Sequence, residues 1–289
     1  MNSLKIRLAA VVVMLSVASL SHSQPGTATA HDGSSIYFEV HGTGDKFLFL
    51  SLGTAAPRAI GAAPGLAPPE GAEQVAAAWK QAYIDGLGSD YRLIFIEYPG
   101  LEPKMFTMTP GAVARDYLAI ADAAGAEEFA YAGFSIGCVT GLQLALRTDR
   151  MKALVCGGFP TMDGVYDDMR LITETAIQGP TSLYGMPDLI WPETGQQFLT
   201  YYNGLRSFDD RAIQQALTSP RLTWIGDQDQ PTLNGKPLTH MGKLVMRNKP
   251  ELEALGWDVL ILPGRNHIDA VVPDVQVPVI KNWLLKNYH

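Results

Sequence analysis

Short unbroken apolar runs alternate along this chain with longer stretches whose apolar residues recur every three or four positions. The first pattern reads as strands buried on both faces, the second as helices packed along one side. Ile36 to Val40 alternates apolar with polar, His41 to Asp45 turns, and Phe47 to Leu50 is continuously apolar. Residues 31–53 therefore read as a hairpin leading into a central strand. Glu73 to Leu87 puts Val75, Ala78, Trp79 and Tyr83 on one helical face, and Tyr91 to Ile96 is a further strand, stopped by Pro99 and Gly100. Thr109 and Pro110 supply a cap and a first-turn proline for a helix whose inward stripe is Val113, Tyr117, Ile120 and Ala124. Strands follow at Phe129–Phe134 and from Met151, with a packed helix between them carrying Val139, Leu142 and Leu146.

Between residues 161 and 220 the alternation breaks into a helical, aromatic-rich stretch. Arg221–Ile225 and Val259–Leu262 then restore strands, and a helix runs from about Val277 to Leu285. Outside that stretch, the alternation of helices with short parallel-type strands is what a doubly wound, mostly parallel α/β sheet requires.

Composition narrows the picture. With 289 residues, 47% hydrophobic and 18% charged, the chain has apolar material for one large core. Lys5 and Arg7, the apolar run Leu8–Leu20 and the small residues around Ser23 form a secretory signal over residues 1–23, with cleavage near Ser23–Gln24. The expected address is secreted or periplasmic. Losing that segment removes two cations and no anions, so the formal charge goes from −7 to −9. So acidic a chain fits neither nucleic acid nor anionic lipid, whose affinity comes from clustered Lys and Arg. A small-molecule substrate is expected, with no membrane span after signal removal. The pattern sets no oligomeric state. Cys138 and Cys156 are the only cysteines; both buried thiols and a disulfide are open. No Cys/His metal spacing is present, and no cofactor is implied.

The chemistry concentrates at Gly133-Phe134-Ser135-Ile136-Gly137, between a strand and a helix. Gly-x-Ser-x-Gly there puts a serine on a turn so sharp that its hydroxyl stands above the sheet edge, before a helix N-terminus. Gly133 and Gly137 fit because side chains would collide within such a turn. His267 lies on a loop leaving the carboxyl end of the last strand, where α/β sheets place their chemistry. His31 and His41 lie in the N-terminal hairpin, His240 in a polar segment, and His289 is terminal.

The elbow and the order of partners after it resemble the α/β-hydrolase superfamily, from about Gly33 to Trp283. That resemblance implies a catalytic serine, acid and histidine in that order: Ser135, Asp229 as the last residue of Gly226-Asp227-Gln228-Asp229, and His267. Asp227 is the near rival for the acid, and Asp163 a more distant one. It implies oxyanion donors at the backbone N–H groups of Thr54 and Ile136, although Leu52 stands where the family usually has histidine. It divides the chain into a core of residues 24–160 and 221–289 and a helical lid of residues 161–220, inserted after the sixth strand. Phe134, Tyr184, Trp191 and Tyr201 are candidates for a substrate pocket. Aspartate-nucleophile relatives, the haloalkane dehalogenases and epoxide hydrolases, are argued against by the serine. The expectation is an ester or lactone hydrolase working through an acyl-enzyme. An aminopeptidase or amidase of the same fold, or a non-catalytic ligand binder, are the alternatives.

Overall fold

The computed structural model describes residues 23–52, 71–96, 107–187 and 192–289. The expected signal segment, Thr54, the loop from 55 to 70, Pro99, Gly100 and Trp191 lie outside those residues, so nothing structural bears on them.

In chain order the core opens with β1 (Gln24–Thr29), β2 (Ser35–His41), β3 (Lys46–Ser51), α1 (Ala72–Leu87), β4 (Tyr91–Ile96), α2 (Pro110–Ala124), β5 (Phe129–Phe134), α3 (Ile136–Ala145) and β6 (Met151–Gly157). The segment to residue 220 holds α4 (Tyr166–Gln178), β7 (Ser182–Leu183), β8 (Met186–Pro187) and α5 (Pro192–Asn203). The core resumes with β9 (Arg221–Gly226), β10 (Thr232–Leu233), β11 (Lys236–Pro237), α6 (Met241–Ala254), β12 (Trp257–Leu262), α7 (His267–Ala270) and α8 (Pro273–Asn287).

Eight strands form the main sheet in the order β1-β2-β4-β3-β5-β6-β9-β12, and the six from β4 to β12 run parallel. Both faces are covered. On β3, Phe47 and Phe49 pack into one core with α2, α3 and α6, while Leu48 and Leu50 pack into the other with α1 and α8. This explains why such strands read as unbroken apolar runs rather than alternations.

The expected hairpin of residues 31–53 is corrected. β2 pairs antiparallel with β1, from Gln24 opposite Val40 to Thr29 opposite Ser35, and β4 separates β2 from β3. The sequence of β1 (Gln24-Pro25-Gly26-Thr27-Ala28-Thr29) offers no apolar alternation to announce a strand. Gly26 is there because the Phe38 ring of the paired strand occupies the space a Cβ would need. His31 fastens the hairpin turn to the core, its Nδ1 lying 2.7 Å from Asp116 of α2.

Helix boundaries follow local chemistry. Thr109 caps α2, its hydroxyl accepting the Ala112 N–H at 3.3 Å, with Pro110 as first helical residue. Leu52 is buried to 1% exposure among Leu48, Leu50 and Phe134, so here the position serves packing.

Candidate active site

Strands β5, β9 and β12 are parallel members of one sheet, so the loops leaving their carboxyl ends gather at one edge. Ser135 follows β5, Asp229 follows β9, and His267 follows β12.

Ser135 adopts φ 57° and ψ −119° at the start of α3, a backbone conformation that ordinary residues avoid. Such strain costs on the order of 1–3 kcal/mol and persists only where the surroundings impose it. They do. The Ser135 N–H donates to the Gly157 carbonyl of β6 at 2.8 Å, and its own carbonyl accepts from Cys138 N at 2.9 Å. A Cβ on Gly133 would overlap the Gly137 carbonyl, and one on Gly137 would overlap the Ser51 carbonyl at the end of β3. Both glycines are thus fixed by close approach. Under the turn, Tyr131 donates to the Gly137 carbonyl at 2.8 Å and Tyr117 to the Ser51 hydroxyl at 3.0 Å. Ser135→Gly should relieve the strained φ and stabilise the protein by roughly 1 kcal/mol, raising Tm by about 2–4 °C in calorimetry.

Ile136 is the first residue of α3, so its N–H has no intrahelical acceptor and stays available beside the half-buried serine. The other oxyanion donor expected, Thr54, lies outside the described residues.

The loops after β9 and β12 are laced together. Gln228 N–H donates to the Arg265 carbonyl at 3.0 Å, and Gly264 N–H donates to the Asp227 carboxylate at 2.7 Å. Asp227 is therefore occupied as a loop tie. Asp229, fully buried, places Oδ2 2.9 Å from His267 Nδ1. Asp163, the more distant rival, pairs with Arg211 and Arg247 and accepts from Asn248; Arg211 above all holds its carboxyl down to about 2. Of the three candidate acids, Asp229 is the one in contact with the histidine. Asn266 caps the short helix α7, which begins with His267, by accepting Asp269 N–H at 2.8 Å.

Among the described residues no hydrogen bond joins the Ser135 hydroxyl to the imidazole, yet the two sites adjoin through Phe134. Its ring centroid lies 4.7 Å from that of His267 and 5.4 Å from that of Trp224. Phe134, a candidate for the substrate pocket, is 4% exposed, with its ring against the imidazole. Tyr201, another such candidate, is 1% exposed, its hydroxyl 3.3 Å from that of Thr140 on α3. Tyr184 stacks on His267 with centroids 4.7 Å apart and planes 8° apart. Cys138 and Cys156 are both free and buried. No three His, Cys, Asp or Glu side chains gather as a metal site among the described residues.

Sheet order, elbow and the edge that collects these residues define the class: this chain has the α/β-hydrolase fold. A thermophilic esterase from Thermogutta terrifontis superposes with a TM-score of 0.57 at 17% identity, covering 93% of this chain and 100% of that one. The enol-lactonase from Burkholderia xenovorans LB400 gives 0.57 at 16% identity, over 90% and 99%. Among curated sequences, the putative carbamate hydrolase RutD of Azorhizobium caulinodans is 29% identical over 141 residues, 47% of this chain and 46% of RutD. The match thus spans about half of that relative's length. No protein-family model matches the chain.

Proposed function

We propose that this chain is an exported serine hydrolase that cleaves an ester or lactone of a small, largely apolar substrate through an acyl-enzyme. The reading is carried by Ser135 on its strained elbow, at the same sheet edge as an imidazole bonded to Asp229 at 2.9 Å.

The roles follow from proton bookkeeping. A serine hydroxyl is a weak nucleophile near neutral pH and needs a base. With Nδ1–H donating to Asp229, the Nε2 lone pair of His267 is left to take the Ser135 proton as Oγ attacks the carbonyl carbon. The negative oxygen that forms is met by the Ile136 N–H and, by resemblance, the Thr54 N–H; each donor contributes about 3 kcal/mol to the transition state. The imidazolium returns its proton to the leaving group. Water, deprotonated by the same imidazole, then releases the acid and regenerates Ser135. Asp229 stays ionised throughout, orienting the ring and stabilising its cation.

Residues 161–220 act as a lid in this reading, supported by Tyr184, which reaches from that segment to His267. Export rests on the pattern of residues 1–23, and among the described residues no helix is long and apolar enough to cross a membrane. Cleavage at the expected point leaves Gln24, the first residue of β1, as the new terminus, which mass spectrometry of the exported chain would read directly.

Turnover of p-nitrophenyl acetate, a δ-lactone, an aryl carbamate and an amino-acid amide tests the reaction class, with ester or lactone expected to lead. The name of RutD favours a second reading, cleavage of a carbonyl bonded to nitrogen, and a carbamate or amide turned over fastest would establish it. Tight ligand binding with no turnover of any acyl substrate would make the protein a binder.

A further inference from the structure

Two tight turns lie at opposite ends of the antiparallel β7–β10 pair, and the first of them meets the His–Asp pair. Tyr184-Gly185 joins β7 to β8 with φ 53° and 76°, and Asn234-Gly235 joins β10 to β11 with φ 49° and 76°. Positive φ at both central residues marks the hairpin turn that favours Asn-Gly, and the second turn has that pair. The first has tyrosine where asparagine is favoured, a conformation an aromatic side chain rarely adopts. The two hairpins are otherwise alike and bound together: Leu183 pairs with Leu233, Tyr184 N–H donates to the Thr232 carbonyl at 3.0 Å, and Asn234 N–H to the Ser182 carbonyl at 2.8 Å. Leu183 and Leu233 pack with Ile172 of α4, so the four short strands form a firm platform beside the acid loop.

What the tyrosine does there is visible. Its ring lies parallel to the imidazole of His267, and its hydroxyl approaches Asp229 Oδ1 at 3.5 Å, the long limit of a hydrogen bond. Burial, with the Asp229 carboxylate adding to it, pushes the phenol well above its ordinary value, so the group is a donor and stays neutral. Asp229 is thus bonded to His267 through one oxygen, with the Tyr184 hydroxyl facing the other.

We propose that Tyr184 is a positioning residue: its stacked ring fixes the plane of the His267 imidazole, and the unfavourable turn conformation is retained for that contact. The role rests on the serine-hydrolase reading and goes beyond it, because it turns a candidate wall of the substrate pocket into part of the acid–base apparatus.

The test compares Tyr184→Phe, Tyr184→Leu and Tyr184→Asn in the full chain, by kcat and KM on p-nitrophenyl acetate and by the rate of Ser135 labelling with a fluorophosphonate. Phenylalanine keeps the stack and should hold kcat within about threefold. Leucine keeps apolar bulk without the stack, and asparagine is the residue favoured at this turn; both should lower kcat and labelling by roughly 10–100-fold with KM nearly unchanged, as misplacement of a base does. Leucine as active as phenylalanine would reduce the ring to packing, and phenylalanine as impaired as leucine would leave the stack without a role. An asparagine variant with wild-type kcat, or one losing only in KM, would also overturn the proposal. Ser135→Ala, run alongside, separates the two readings. Hydrolysis surviving it removes the serine mechanism, whereas hydrolysis lost there but kept in Tyr184→Asn removes only the role of the ring.

Discussion

Ser135→Ala is expected to lower kcat on p-nitrophenyl acetate by roughly 10⁵-fold, because in the proposed mechanism it removes the group that becomes acylated and leaves the rest of the site in place. KM should change little. Alanine at φ 57° carries the same backbone strain as serine, so Tm should stay close to that of the wild type, unlike the gain expected for Ser135→Gly. Residual hydrolysis above the water rate is also expected, since the Ile136 N–H and the imidazole remain to act on a bound ester. Labelling by a fluorophosphonate, followed by intact-mass spectrometry, gives an answer that does not depend on knowing the natural substrate. Wild type should gain one adduct and Ser135→Ala none. Wild-type turnover in the alanine variant would show that the reaction bypasses this hydroxyl.

The elbow was legible because its residues are consecutive and carry their own pattern, even though some of the groups that enforce it, such as the Ser51 carbonyl, lie far away in sequence. Gly133 and Gly137 must lack side chains for backbones to pass at that distance, and both the strand before and the helix after carry periodicities of their own. The parallel core was legible for a similar reason, since Phe47–Leu50 buries both faces and so cannot be mistaken for a surface strand. What escaped was settled by distant partners. β1 is recognisable only by its register against β2, and whether β2 and β3 are neighbours depends on where the crossover through α1 inserts β4. The four strands of the small sheet are two residues each, too short for any period to show. Tyr201 and Tyr184 look alike as aromatics in one segment, yet one points into the core and the other onto the imidazole. The Tyr184-Gly185 pair could have drawn notice as a turn dipeptide with an unusual first member. The contact that explains it, with His267 more than eighty positions along the chain, leaves no mark in the sequence around it.

Asp229 and Asp227 stand two residues apart in one acidic turn, and replacing each by asparagine should give opposite results. Asp229→Asn is expected to cost roughly 10⁴-fold in kcat. The amide can present N–H rather than a lone pair to Nδ1, which favours the tautomer carrying its proton on Nε2. That nitrogen can no longer accept from Ser135, and the imidazolium formed during attack loses its counter-charge. The substitution preserves shape within the buried site, so the loss should appear in kcat rather than in KM or in the far-UV spectrum. In Asp227→Asn the side-chain oxygen still accepts the Gly264 N–H bonded at 2.7 Å, and the tie between the two loops survives. There kcat should remain within about threefold, with at most about 1 kcal/mol lost in stability as a charge-assisted bond becomes a neutral one. Because both variants remove one negative charge from the same loop, any general electrostatic effect cancels in the comparison. What remains is the contact with His267, which Asp229 makes through Oδ2 and Asp227 does not make at all. Equal losses in the two variants would sink the assignment of Asp229 as the acid, and a larger loss in Asp227→Asn would transfer that role to its neighbour.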